Sequence, residues 1–68
     1  MKFNLTINCN NDAFCEGNEP TTQSAGSEIA RILRQVARQI ENGAPFDYFQ
    51  TIRDLNGNDV GRYAMKGE

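Results

Sequence analysis

The chain has no histidine and no tryptophan, only two cysteines and two prolines among its 68 residues, and no long apolar run. Without histidine, general acid or base chemistry would need a tuned carboxylate, lysine, tyrosine or thiol, and so small a domain offers little cavity in which to tune one. No glycine-rich phosphate loop follows a strand, and Ser24 and Ser27 stand where helix caps belong. An enzyme is therefore not expected, and no catalytic residue is assigned. A closed zinc site needs four ligands, and "CNNDAFC" offers Cys9 and Cys15 alone, so carboxylates or a second chain would have to complete it. Two reduced thiols near a strand end are the expectation. "DLNGND" places Asp54, Asn56 and Asn58 at alternating positions as a calcium loop does, but Asp59 stands where the loop glycine belongs and Met65 where the bidentate glutamate belongs. A hairpin turn is expected there, and neither metal nor cofactor. "FNLTINCNN" lacks the ~7 to 15 consecutive apolar residues of a secretion signal, and no stretch approaches the ~18 of a membrane span. The expectation is a cytoplasmic protein that does not engage a membrane.

A single domain spanning residues 1–68 is near the lower size limit for independent folding and buries about 60% of the surface its unfolded chain exposes. With 38% hydrophobic residues, the net stability expected is roughly 3 to 5 kcal/mol. A homodimer, or a larger partner, would add buried area. The net charge of −2 and a pI near 5.0 argue against coating nucleic acid by charge alone. The distribution is more telling: Arg31, Arg34, Arg38, Arg53 and Arg62 fall in expected helix or strand, whereas Asp12, Glu16, Glu19, Asp47, Asp59 and Glu68 fall in loops, the turn or a terminus.

"KFNLTIN" alternates, with Phe3, Leu5 and Ile7 on one side and Lys2, Asn4, Thr6 and Asn8 on the other, which predicts a half-buried strand. From Cys9 to about residue 25 the composition is that of a mobile polar loop, with Phe14 as its anchor to the core. Ile29, Ile32, Leu33, Val36 and Ile40 form one apolar stripe and predict a helix over about residues 25 to 42. Ser24 or Ser27 is its expected cap, and Asn42-Gly43 its left-handed end. Strands follow at about 48 to 55 and 59 to 65, joined at Asn56-Gly57, a dipeptide suited to a type I′ turn. The order β-α-β-β predicts an α+β fold, with one helix on a three-stranded, mostly antiparallel sheet.

A two- or four-residue hairpin loop places Ile52, Gly61, Tyr63 and Met65 on one face, and Phe49, Thr51, Arg53, Val60, Arg62 and Ala64 on the other. Burying two arginines is costly, so the first set should face the helix and the second should form an open face. Phe49 there would be an exposed aromatic, a type enriched at interfaces. On the helix, Arg31, Arg34 and Arg38 share one side at spacings of three and four. A merely solvated side, with Glu28–Arg31 and Arg38–Glu41 as minor ion pairs, competes with a binding role. Arginine outnumbers lysine five to two, and arginine is favoured at interfaces and for carboxylate or phosphate recognition. Arg53, Arg62, Phe49, Arg31, Arg34 and Arg38 are the candidate partner-binding residues.

Together, "EIARILRQVARQIENG" and "IRDLNGNDVGRY" resemble a kind of short open reading frame common in bacteriophages and prophages. The likeness spans the first strand, the helix and the hairpin, and leaves out the segment from Cys9 to Ser24. It brings no catalytic residues. It implies a small protein that binds a host protein complex, with inhibitors of bacterial immunity such as anti-CRISPR proteins as one such class. Arginine contacts to the phosphates of a nucleic acid are the alternative.

Overall fold

The computed structural model describes residues 1–16 and 19–67. The alternation in "KFNLTI" forms strand β1, Lys2–Ile7, with Leu5 and Ile7 half-buried and Lys2, Asn4 and Thr6 exposed. The segment expected to be a loop from 9 to 25 carries more order than its composition suggests, although Gly17 and Asn18 lie outside the described residues. A 3-10 turn at Asp12–Phe14 buries Phe14 completely, and β2 (Cys15–Glu16) pairs antiparallel with β3 (Glu19–Pro20).

The helix α1, Thr22–Glu41, begins three residues earlier than the apolar stripe indicates, because its cap is Thr21 and not Ser24 or Ser27. The Thr21 hydroxyl accepts from the Ser24 N–H at 3.0 Å, and the Ser24 hydroxyl accepts from the Thr21 N–H at 3.1 Å. This reciprocal box satisfies two of the N–H groups that a helix start leaves without partners. The Ser24 Oγ also lies 2.8 Å from the Phe14 carbonyl, its hydroxyl joining the helix start to the 3-10 turn. At the other end Gly43 adopts φ +86°, and the N–H groups of Gly43 and Ala44 donate to the carbonyls of Ile40 and Gln39. That is the Schellman ending expected of Asn42-Gly43.

Strands β4 (Gln50–Arg53) and β5 (Asp59–Lys66) complete an antiparallel sheet in the order β1-β5-β4. The fold is α+β, one helix on a three-stranded sheet. The core joins Phe14, Ile32, Val36, Ile52, Val60 and Tyr63, and the Tyr63 hydroxyl donates to Gln39 on the helix at 2.8 Å.

The hairpin differs from the expected type I′ turn. Asn56 does not adopt a positive φ, and Gly57 alone in the turn does, at +86°. The Gly57 N–H donates to the Asp54 carbonyl and the Asp54 N–H to the Asn58 carbonyl, which defines a three-residue loop closed by a glycine bulge. An odd loop would by itself exchange the two faces of β5. A second irregularity, at Val60, restores them: Arg53 pairs with Asp59 but Ile52 with Gly61, so Val60 is the extra residue. Val60 joins the core instead of the open face, whereas Gly61 and Tyr63 still share the face of Ile52 as the alternation requires.

Gly61 meets β1 closely. A Cβ at this position would overlap the Thr6 carbonyl oxygen and lie 3.1 Å from the Ile7 Cα. Gly61→Ala should therefore force β1 away from β5 and cost about 3 kcal/mol, measured by urea unfolding. Gly26→Ala, where nothing approaches within 4 Å, should instead stabilise the helix by about 0.5 to 1 kcal/mol. Equal effects of the two substitutions would contradict this packing.

Candidate functional site

The sheet has one face against α1 and one turned away from it. From β1 the outward face receives Lys2, Asn4 and Thr6, and from β5 their register partners Lys66, Ala64 and Arg62. Thr51, opposite Arg62, extends it across β4, and Phe49, two residues earlier, stands at its margin. Ala64 is nonetheless buried, because a methyl group on the central strand is overtopped by longer neighbours. Phe49 is 52% exposed, and the Lys66 ammonium sits 4.4 Å from its ring centroid. This cation–π contact holds the ring without covering it. Lys2 and Lys66 face each other directly across the ladder, a like-charge pairing that costs stability. A shallow concavity of about 450 Å³ lies on the same face, lined by Asn4, Thr6, Phe49, Asp59 and Arg62 among others.

The structure sorts the six candidate residues. Phe49 and Arg62 come together on this face. Arg53 does not join them: its Nη1 donates to the Gly57 carbonyl at 3.2 Å, and it lines a cleft between sheet and helix with Gln35 and Gln39. Arg31 is committed internally. Its Nε and Nη2 donate to the two carboxylate oxygens of Glu28 at 2.6 and 2.9 Å, and Nη1 donates to Gln35 at 3.2 Å. Arg34 and Arg38 are exposed on the solvent side of α1, and among the described residues neither forms an ion pair, so the expected Arg38–Glu41 contact is not made. Lys66 and Lys2 are the functional candidates that residue spacing did not single out. Their signal was the alternation of β1 and β5, which sends both to the face of Arg62.

Two buried acids brace the hairpin from behind. Glu28 accepts from the Leu55 N–H at 2.7 Å as well as from Arg31, joining the first half of α1 to the hairpin loop. The Arg31 hydrogen bond holds its carboxyl below the ordinary range, against the opposing effect of burial, and the Leu55 N–H adds to the lowering. Asp54 accepts from the N–H groups of Asn56 and Asn58, both at 2.9 Å, and from the side-chain amides of Asn58 and Asn11. Burial pushes its carboxyl up, but these donors, Asn58 foremost, outweigh burial and leave it lowered. The carboxylate of "DLNGND" is thus an Asx-type turn brace. Cys9 and Cys15 are unbridged, and the Cys15 sulfur lies 3.3 Å from the Asn11 carbonyl.

In comparisons with known proteins the chain matches no family model, no curated protein and no solved structure.

Because both carboxyls titrate lower in the folded state, the stability they add is complete above the unfolded carboxylate range, about pH 4, and is lost as pH falls through their lowered folded values. Thermal melts by circular dichroism should show little change from pH 8 to about 5 and a steep fall below about 4. The double variant Glu28→Gln, Asp54→Asn should melt lower at neutral pH and show a flatter acid limb. An unaltered acid limb would remove these two groups as its source.

Proposed function

We propose that this protein is a small non-catalytic binding module that lays the outward face of its sheet against an acidic surface of a host protein complex. The observation that carries this reading is the placement of Arg62 and Lys66 beside an exposed Phe49, with Lys2 opposite Lys66 across the ladder, on a face that no helix covers among the described residues. An aromatic anchor flanked by cations suits a protein contact in which the ring fills a pocket and the charges set orientation and encounter rate. The resemblance to short phage reading frames supplies the setting: the cytoplasm of a bacterial host, with inhibition of a defence complex, as by anti-CRISPR proteins, as the class of action.

The same face favours one second reading. Cations beside an exposed ring also suit a single-stranded nucleic acid, with phosphates on Arg62 and the lysines and a base on Phe49. The overall negative charge weighs against it. Capture from host lysate with and without nuclease, read by mass spectrometry, separates the two. A stoichiometric protein that survives nuclease supports the first reading. Recovery of nucleic acid alone, lost in high salt, puts the second in its place.

Arg62→Glu and Phe49→Ala should each weaken binding of the captured partner by at least about tenfold while leaving the melting temperature within about 2 °C. Arg53→Glu should have a smaller effect, because its guanidinium is turned toward the hairpin loop. Full binding by both Arg62→Glu and Phe49→Ala, measured by calorimetry, would exclude this face as the site.

A further inference from the structure

A different surface carries a separate inference. Among the described residues strand β1 is an edge strand, paired with β5 on one side only. The N–H of Asn8 donates to the Val60 carbonyl at 2.6 Å, which sets the phase of the ladder. In antiparallel pairing, hydrogen-bonding and non-bonding residues alternate, so Thr6, Asn4 and Lys2 turn their backbone groups toward β5. Those of Phe3, Leu5 and Ile7 point outward, and no backbone hydrogen bond reaches them among the described residues. Only the Cys9 thiol approaches, 3.8 Å from the Ile7 carbonyl. The edge carries no proline and no bulge, and its single charge is Lys2, so it lacks the features that usually protect such an edge from pairing.

The helix leaves apolar surface beside the same edge. Glu28, Gln35 and Gln39 line the side of α1 that reaches β4 and Tyr63. At 100° per residue, Leu33 and Ile40 lie on the opposite flank, toward β1. Leu33 is 45% exposed and Phe3, on the helix side of β1, is 44% exposed. The sheet and the helix thus run short of cover at one shared border.

We propose that the occupant of this border is a second copy of the chain, joined antiparallel through β1. The strand is self-complementary in one register: Phe3 opposite Ile7 of the second copy and Leu5 opposite its own counterpart. All the outward-facing backbone groups then pair, forming about six hydrogen bonds. Phe3, Leu5 and Ile7 meet only apolar partners on the helix side, and Asn4 meets Thr6 on the other. The two Lys2 side chains fall at opposite ends beside Asn8, so no like charges oppose each other across the new ladder. The product is a six-stranded sheet ordered β4-β5-β1-β1-β5-β4, with both helices on one side and Leu33 of each turned toward the junction. Its other side presents two copies of the Phe49–Arg62–Lys66 face next to each other, an arrangement that strengthens binding to a repeated or two-fold partner.

Sedimentation equilibrium over about 1 to 500 µM tests this pairing, that range bracketing the weak end of specific interfaces. The expected result is a rise from one chain mass to two. Phe3→Pro removes an N–H that faces outward, which an edge strand tolerates, and should leave a folded monomer by circular dichroism. Leu33→Lys should shift the dimer equilibrium by at least tenfold, and Arg62→Glu should leave it unchanged. In a mixed-label sample, an intermolecular cross-peak between the Hα protons of Asn4 and Thr6 should appear, and it decides the matter should Phe3→Pro fail to fold. A wild-type monomer at every concentration, a dimer that folded Phe3→Pro leaves intact, a dimer without the cross-peak, or one abolished by Arg62→Glu would overturn the proposal.

Discussion

The carboxylate of Glu28 is the contact on which the arrangement of this small protein turns. It is 6% exposed, and a buried charge is tolerable only when its partners replace the water it has lost. Arg31 supplies two of those hydrogen bonds and the Leu55 N–H a third. The third matters most for architecture, because it spans 27 residues and fixes the hairpin loop to the helix. Asp54 continues the brace by gathering the loop around itself and reaching Asn11 in the segment after β1. In a chain whose apolar core is built from so few side chains, these two acids supply much of the order that a larger core would otherwise provide.

That bracing divides the charges of the molecule into two populations. On the helix Arg31 is paired with Glu28, whereas Arg34 and Arg38 are turned to water. On the far side of the sheet Arg62 and Lys66 flank Phe49, with Lys2 and Lys66 opposed across the ladder. Folding alone gives no reason to place like charges in register. The proposed acidic partner would relieve that repulsion, and the proposed edge pairing through β1 would set two such faces side by side.

Much of the fold was legible because it depends on local chemistry. The alternation of Phe3, Leu5 and Ile7, the stripe from Ile29 to Ile40 and the Asn42-Gly43 ending all report short-range rules, and β1, α1 and the Schellman ending follow them. The errors arose where two local solutions share one signature. Asn-Gly suits a type I′ turn, but it also suits a type I turn with a glycine bulge, and the braces from Asp54 select the latter. Val60 followed, since the bulge that turns it into the core is invisible to simple alternation. Thr21 is one of several serines and threonines that stand where a cap belongs, and the contact from Ser24 to Phe14 decides among them. The Glu28–Arg31 pair follows from helical spacing, but the tie from Glu28 to the Leu55 N–H and the stacking of Lys66 on Phe49 depend on contacts across 27 and 17 residues, beyond the reach of helical or strand spacing.

The central claim is that the chain keeps Arg31 for itself and offers Arg62 to a partner. Arginine-selective labelling with a glyoxal reagent, quantified residue by residue in the free protein and in its captured complex, tests this most directly. The account predicts slow labelling of Arg31 in both states, and rapid labelling of Arg62 in the free protein that is suppressed in the complex. Arg34 and Arg38 should label rapidly in both. Shielding of Arg34 and Arg38 with Arg62 unaffected would move the functional surface to the helix and contradict the account.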